Sequence, residues 1–598
     1  MLDRTAGLFL APKLVVWLLR KATPPMPEIP ARLWLHFLPA VEALLLLAAV
    51  LQAWRAARRN PQPVRRLDLG RGLHFVAQHR RWAVATVTLL PLLTRVAFIP
   101  ILGIPQPRFA DEFSFLLAAD TYHSGRLTNP THPFWKFFES FHIIQQPTYM
   151  SMYPPGQGLA LAAGHWLLGN PWLGQWLVTG LLCGAICWML QGWLPSRWAF
   201  YGGIIAVLRI GILSYWMNTY MIGSLPALGG ALVLGAWPRL QRTARFRNAV
   251  LMALGLVILA NTRPFEGLVL SIPVAVAMLI WLFSRIGPPQ SAKWLRVALP
   301  IAAILLVVGS AMGYDNWRVT SSPVRMAYQV NRETYAQAPY FLMLPPRVAP
   351  TYNHAEMQRF YENLELKDYR SERTVSGYLA SLLRRSDDLW LFYFSSALTV
   401  PCAALMLAGS SVFRNRRYLL PLALVGTLLA GLLPQTWTMP HYAAPAASLA
   451  YLFVTLGARY LYVWRRHSDG LGAAMVRIIP AVLASMVILR VAAVAFHAPV
   501  EQPWPRGNLD RAGILAHLQS SGGRHLIFVS YAPDHDVNQE WVYNRADIDA
   551  SRVVWARDRG NAENHKLIAY FHDREVWSLR PDLAPAALIP YPEPAPHP

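Results

Sequence analysis

Apolar runs of about 20 residues, the length that crosses a bilayer core, recur along most of this 598-residue chain. Backbone in hydrocarbon must satisfy its own hydrogen bonds, which leaves helices or closed barrels. The runs are continuous rather than alternating, so they read as helices. With 54% hydrophobic and 15% charged residues, the chain lacks the charge that a soluble protein of this length uses to cover its surface. The expected fold class is an all-α polytopic membrane protein of 12 or 13 transmembrane helices, followed by a small C-terminal extracytoplasmic α/β domain.

The formal net charge is +23, yet its position argues against nucleic acid. Lys and Arg gather in short connections between apolar runs, as in cytoplasmic loops, and no basic stripe interleaved with aromatics lies outside them. The segment from Arg55 to Arg81 holds eight arginines against one acid, Asp68. If it is cytoplasmic, the next span, 82–102, delivers Asp111 and Glu112 to the outer face. Basic loops near 237–248, 284–296, 414–417 and 464–467 fit the same orientation. Between 153 and 237 four apolar pieces (155–169, 171–194, 197–213 and 224–237) stand where an odd number of crossings is needed, so one must be partial. Cys183, Cys187 and Cys402 all lie in apolar runs, which suits small core residues rather than a disulfide framework or zinc site.

These boundaries divide the chain into five parts. Residues 1–81 form an N-terminal region with an interfacial helix, one span and the basic loop. Residues 82–313 form a membrane core that includes an outer loop at 105–155, and residues 314–390 a long extracytoplasmic segment. Residues 391–497 are further spans, and 498–598 a soluble cap. A segment as long as 314–390 suggests a lid or binding loop; within it HAEMQRFYENLEL reads as a helix along the interface. In the cap, the helices RAGILAHLQ and ENHKLIAYF alternate with the strands HLIFVSY, RVVWA and REVWSL, which implies a short, largely parallel sheet. The ending PYPEPAPHP reads as disordered.

The outer loop carries the chemistry. It runs RFADEFSFLLAADTYHSGRLTNPTHPFWKFFESFHIIQQPTYMSMYPPGQG, from Arg108 to Gly158. A helix cap accounts for one acid before an apolar run, but not for two. Beside a cavity at the membrane surface, one carboxylate can accept a proton from an incoming hydroxyl. Gly125 and the Asn129-Pro130 and His132-Pro133 steps are chain-reversal chemistry, and Pro154-Pro155 suits a helix entry. His123, His132 and His142 are unevenly spaced, a weak pattern for a metal, as is Asp534-His535-Asp536 in the cap; no metal site is assigned. Arg263 and Glu266 sit in an outer turn, either as a plain salt bridge or with Arg263 facing an anion that its fork of donors suits. Arg325 and Arg332 are rivals for that phosphate role. Asn218, His441 and Tyr442, at outer ends of apolar runs, are candidate cavity-lining groups.

An Asp-Glu pair opening the first outer loop, SGRLTNPTHP within it and a YPPG exit together resemble membrane glycosyltransferases of the GT-C superfamily. The bacterial protein O-mannosyltransferase and aminoarabinose transferase-like branch is the most similar. The resemblance spans about residues 82–310 as architecture, with the motif confined to 108–158. It implies a sugar donor linked to a polyprenyl phosphate or pyrophosphate, and an extracytoplasmic glycan, lipid or protein acceptor. It also implies no nucleotide site or other cofactor. Asp111 would be the general base of a single inverting displacement, Glu112 a binding or orienting neighbour, and an arginine would steady the leaving phosphate. Substrate-binding candidates are then Glu112, His132, Tyr153, Asn218, Arg263, Glu266, Arg325, His441 and Tyr442. The N-terminal region and the cap depart from the family pattern. Charge bias and resemblance together point to the bacterial inner membrane. The alternative function is a polytopic lipid or saccharide flippase or transporter, which would distribute charges through its spans and show repeat symmetry.

Overall fold

A computed structural model describes residues 35–59, 71–408, 414–463, 471–496, 507–583 and 586–591. The expected N-terminal interfacial helix and the expected disordered tail from residue 592 onward lie outside these residues, whereas Pro590 and Tyr591, also expected to be disordered, are placed, with Tyr591 packed on Phe528. In chain order the main helices are α1 (Phe37–Arg59), α2 (Arg80–Ala97), α3 (Ala110–His123), α4 (Pro155–Leu168), α5 (Trp172–Trp193), α6 (Ser196–Ala206), α7 (Ser224–Thr243), α8 (Phe246–Ala260), α9 (Pro264–Phe283) and α10 (Leu299–Thr320). They continue with α11 (Val375–Tyr393), α12 (Ser395–Ala408), α13 (Leu419–Leu432), α14 (Ala447–Val463), α15 (Leu471–Ala495), α16 (Leu509–Ser520) and α17 (Asn561–Tyr570).

Six helices among the described residues are long and apolar enough to cross a membrane, or seven if the bent pair α11–α12 counts as one span. This is a multi-pass membrane protein. The 12 or 13 spans expected from the sequence include pieces that are shorter or more polar than that, such as α8 with 15 residues and α13 with 14. Of the four pieces between 153 and 237, two form helices shorter than a full span, α4 with 14 residues and α6 with 11. Helix α4 is about 21 Å long at 1.5 Å per residue, short of the hydrocarbon core. It lies beside α3 along its length: Tyr153 stacks on Phe115, and His165 stacks on His123 at its far end. Helix α5 is the centre of the bundle, packed against α2, α4, α6 and α7. Gly164 and Gly174 let the backbones of α4 and α5 touch, because a side chain on either would strike the other helix.

Charges also occur inside the bundle, where the sequence reading gathered them in the outer loop. Helices α11 and α12 meet at 101°, and a broken helix leaves carbonyls and amides without partners. Arg209 takes the α11 carbonyls of Phe392 (3.0 Å) and Leu391. Glu42 of α1 accepts the amide of Ala397 at 2.7 Å and the Ser395 hydroxyl at 2.9 Å. Arg95 of α2 donates to Asn218 Oδ1 and to the Gly103 carbonyl, both at 2.7 Å. Each charge substitutes for water at a break in backbone pairing.

The C-terminal domain has a four-stranded sheet in the order β4-β3-β5-β6, with β3 His525–Val529, β4 Val553–Arg557, β5 Glu575–Arg580 and β6 Ala587–Pro590. (β1, Ile143–Ile144, and β2, Met150–Ser151, form a hairpin in the outer loop.) β3 pairs in parallel with β4 and β5, and β6 closes the edge antiparallel. Strand β3 is buried throughout, and its alternating side chains face two layers. Leu526 and Phe528 pack with Phe137, Phe138 and Tyr149 of the outer loop, whereas Ile527 and Val529 pack with Leu518 of α16. The domain therefore uses the outer loop as one wall of its own core. The segment HAEMQRFYENLEL is helical, with Phe360 and Tyr361 buried against Phe141 and Tyr335.

A buried polar network joins these parts. Arg557 donates to Glu540 Oε2 at 2.8 Å and to the Glu139 carbonyl at 2.7 Å. The Glu139 carboxylate accepts from Tyr335 at 2.9 Å and Asn353 at 2.8 Å, and lies 3.3 Å from His354. Removing one member of a buried pair leaves the other charge uncompensated, at about 3–5 kcal/mol. Arg557→Ala is expected to lower the thermal midpoint and to expose the segment around Glu139 to protease, read by limited proteolysis in detergent; an unchanged digest would show that the network does not hold the domain.

Candidate active site

The site begins at the first turn of α3. Phe109 is the extended N-cap residue, which puts Asp111 and Glu112 at the second and third helical positions, where free amides and the helix dipole favour acids. The two carboxylates have different tasks. Glu112 is buried and saturated: Oε2 accepts the amides of Arg108 (2.9 Å) and Phe109 (3.1 Å), and Oε1 that of Tyr220 (3.0 Å). Burial raises its pKa against the pull of those three amides. It orients the turn, and no face is left for a ligand. Asp111 takes no part in capping, and its side chain remains 30% exposed. Its Oδ1 accepts a hydrogen bond from Tyr153 Oη and lies 3.5 Å from His142 Nδ1. Burial and the Asp111 charge hold the Tyr153 phenol well above its ordinary value, so Tyr153 is the donor.

His142 was weighed in the sequence only as a metal ligand; the fold brings it to Asp111. Its backbone is left-handed, with φ 61°, a strained state for a residue with a side chain. Two bonds to its carbonyl enforce it, from Ser114 Oγ (2.6 Å) and Met152 N (3.0 Å). Nδ1 is buried without a hydrogen bond. Neither the φ nor the contact has a signature in the sequence.

Across Tyr153 lies a cation. The Arg263 guanidinium sits 3.7 Å above the Tyr442 ring, and Tyr442 feels the charges of both Arg263 and Asp111. The plain salt bridge is only half made. Glu266 Oε2 lies 3.8 Å from Arg263 Nε, too far for a hydrogen bond, while Oε1 accepts from Gln435 at 3.3 Å. Nε and Nη2 of Arg263 are buried with no acceptor. His441 bonds Tyr215 Oη at 3.0 Å, and burial together with the Arg263 charge keeps its pKa well below the usual value.

The rival arginines are engaged. Arg332 Nη1 bonds both Glu365 oxygens, at 2.9 and 2.7 Å, between aromatic rings. Arg325 pairs with Glu333 at the surface. Asn218 belongs to the Arg95 cluster, with both amide protons on the carbonyls of Ile212 (2.9 Å) and Ser214 (3.0 Å). His132 lies in the contact with the C-terminal domain: Nδ1 accepts the Phe134 amide at 2.9 Å, so Nε2 carries the proton toward Asp549 at 3.1 Å. Asp111, Tyr153, Arg263, Glu266, His441 and Tyr442 thus come together, with Glu112 holding the helix turn behind Asp111. Asn218, His132 and Arg325 do not join them. No group of three His, Cys, Asp or Glu among the described residues is arranged to hold a metal ion.

No protein-family profile matches the chain, and no curated protein matches it. Solved structures do. ArnT from Cupriavidus metallidurans in the apo state aligns at 13% identity and a TM-score of 0.49, over 83% of this chain and 93% of that one. The Archaeoglobus fulgidus oligosaccharyltransferase tethered with an acceptor peptide aligns at 11% and 0.44, over 83% and 68%. The oligosaccharyltransferase AglB from Archaeoglobus fulgidus, in complex with an inhibitory peptide and a dolichol-phosphate, aligns at 11% and 0.42, over 83% and 69%.

Burial depresses the His132 pKa below its ordinary 6.5, against the pull of Asp549. The unfolded chain then binds a proton more readily than the folded one, so this contribution to stability is full above pH 6.5 and is lost as pH falls below it. The thermal midpoint of His132→Asn is expected to fall less between pH 7 and pH 5 than that of the wild type, measured by detergent-phase melting.

Proposed function

We propose that this protein is a membrane glycosyltransferase that moves a sugar from a polyprenyl-phosphate-linked donor to an acceptor hydroxyl, with Asp111 as general base. The observation that carries the reading is the pairing, across Tyr153 and Tyr442, of an accessible carboxylate with a buried arginine that has two donor nitrogens without acceptors. Base and anion binder are the two groups that displacement at an anomeric carbon needs. The acceptor O–H proton passes to Asp111, the acceptor oxygen bonds to the anomeric carbon, and the carbon–oxygen bond to phosphate breaks. The electron pair leaves with the lipid phosphate. A single displacement inverts the anomeric centre.

Each neighbour has a part. Glu112 fixes the helix turn, so that Asp111 needs no reorganisation as it gains the proton. Tyr153 holds one Asp111 oxygen and leaves the other for the acceptor. His142 Nδ1 is within reach to receive the proton afterwards. Arg263, backed by Tyr442, offers Nε and Nη2 to the departing phosphate, where preorganised charge is most effective in a water-poor site. The active loop and the C-terminal domain lie on the extracytoplasmic side of a bacterial inner membrane in this reading.

In proteoliposomes with undecaprenyl-phosphate-linked hexose, Asp111→Asn is expected to reduce sugar release by roughly 100-fold or more while the lipid donor remains bound. Undiminished turnover would remove Asp111 as the base. Arg263→Ala is expected to lower kcat by roughly 100-fold, with partial recovery in Arg263→Lys, since lysine restores the charge but not the fork. Equal rates in all three proteins, measured by single-turnover release, would reject the phosphate role.

A further inference from the structure

A second polar feature lies outside the pair of charges described above. Asp315, near the outer end of α10, lines a narrow groove at the protein surface. Met312, Asn316, Tyr328, Pro264 and Tyr153 share its wall. The groove therefore runs between α10 and the residue that bonds Asp111. Its outer wall faces lipid: only 6% of the apolar stretch of the helix containing α10 is buried.

Asp315 is unusual among the outer carboxylates. Asp120 is bonded to Arg545, Glu139 to Tyr335 and Asn353, and Glu365 to Arg332. Asp315 makes no hydrogen bond or ion pair among the described residues, and the nearest cation along the helix, Arg318, reaches Tyr314 Oη at 3.5 Å instead. An acid at the edge of a membrane span is costly unless something there uses it. In a lipid-facing groove beside a reacting centre, its counterpart is a donor group on the molecule that passes through.

We propose that Asp315 is a substrate-binding residue: it accepts a hydrogen bond from a hydroxyl or ammonium group of a lipid-anchored saccharide that enters through this groove. The proposal rests on the glycosyltransferase reading, and fixes the route and one recognised group of its substrate. The apolar wall of Met312 and Pro264 follows the lipid chain, while Asp315, Asn316 and Tyr328 meet the polar head.

The test uses the full-length protein in proteoliposomes with two probes, undecaprenyl phosphate carrying a neutral hexose and the same lipid carrying an amino sugar. Asp315→Ala is expected to raise KM about tenfold for at least one probe, with the effect in KM rather than kcat. Asp315→Asn keeps an acceptor oxygen but loses the charge. A loss in Asn confined to the amino sugar identifies an ammonium partner; retained KM in Asn with loss in Ala identifies a hydroxyl. Unchanged KM for both probes in both variants overturns the proposal, even where Asp111→Asn abolishes turnover. A photoreactive p-benzoylphenylalanine at Met312 supplies a readout independent of turnover. Saturable crosslinking to either lipid saccharide supports the route, and none with both overturns it, whether or not the wild type releases sugar.

Discussion

The arrangement of the Asp111 loop, the long segment and the C-terminal domain depends on buried charges that find their partners in one another's chain segments. Arg557, from the last domain, reaches the main chain of the outer loop at Glu139 and the carboxylate of Glu540. Glu139 in turn holds Tyr335 and Asn353 of the long segment. Three parts of the chain, separated by hundreds of residues, are therefore locked by groups whose loss is several times costlier than that of a surface pair. The apolar contacts of Leu526 and Phe528 with Phe137 and Phe138 give the interface area; the charges fix its register. The loop that bears Asp111 is held from one side by helices and from the other by this domain.

That clamping explains why the site tolerates strain. A histidine at φ 61° persists only where its surroundings over-determine it. Ser114, Met152 and the β1–β2 hairpin do so at His142. The same logic applies deeper in the bundle. Arg209 and Glu42 fill the unpaired backbone groups at the α11–α12 break, so charges that a sequence reader would assign to transport or catalysis serve the fold. Burial alone does not distinguish the two uses. The distinction lies in what each group already holds: Glu112 is fully engaged and Arg332 and Arg385 each bond a carboxylate, whereas Arg263 has two buried donors without acceptors and no carboxylate within hydrogen-bond distance.

Much of this was legible from the chain. The Asp-Glu pair stands at a helix start, Pro154 and Pro155 open the next helix, and the strands and helices of the cap lie where alternation and periodicity put them. The reading went astray where partners are distant in sequence. His132 and Asn218 look like cavity residues in isolation, yet one is taken up by Asp549 and the other by Arg95. The span count exceeds the helices long and apolar enough to cross because several apolar runs fold as helices shorter than a full span, such as α4, α8 and α13.

By itself the sequence determined that the chain enters a membrane, which segments are helical, where the basic connections fall and which loop holds paired acids. These follow from local composition and period, since the hydrophobic effect and backbone pairing act on neighbours. Tertiary structure decided which acid stays accessible and which is saturated, which of three arginines has no hydrogen-bonded carboxylate, and that His142 lies beside Asp111. Those outcomes depend on contacts between residues far apart along the chain. A polar group's availability is set by what the rest of the fold has already given it.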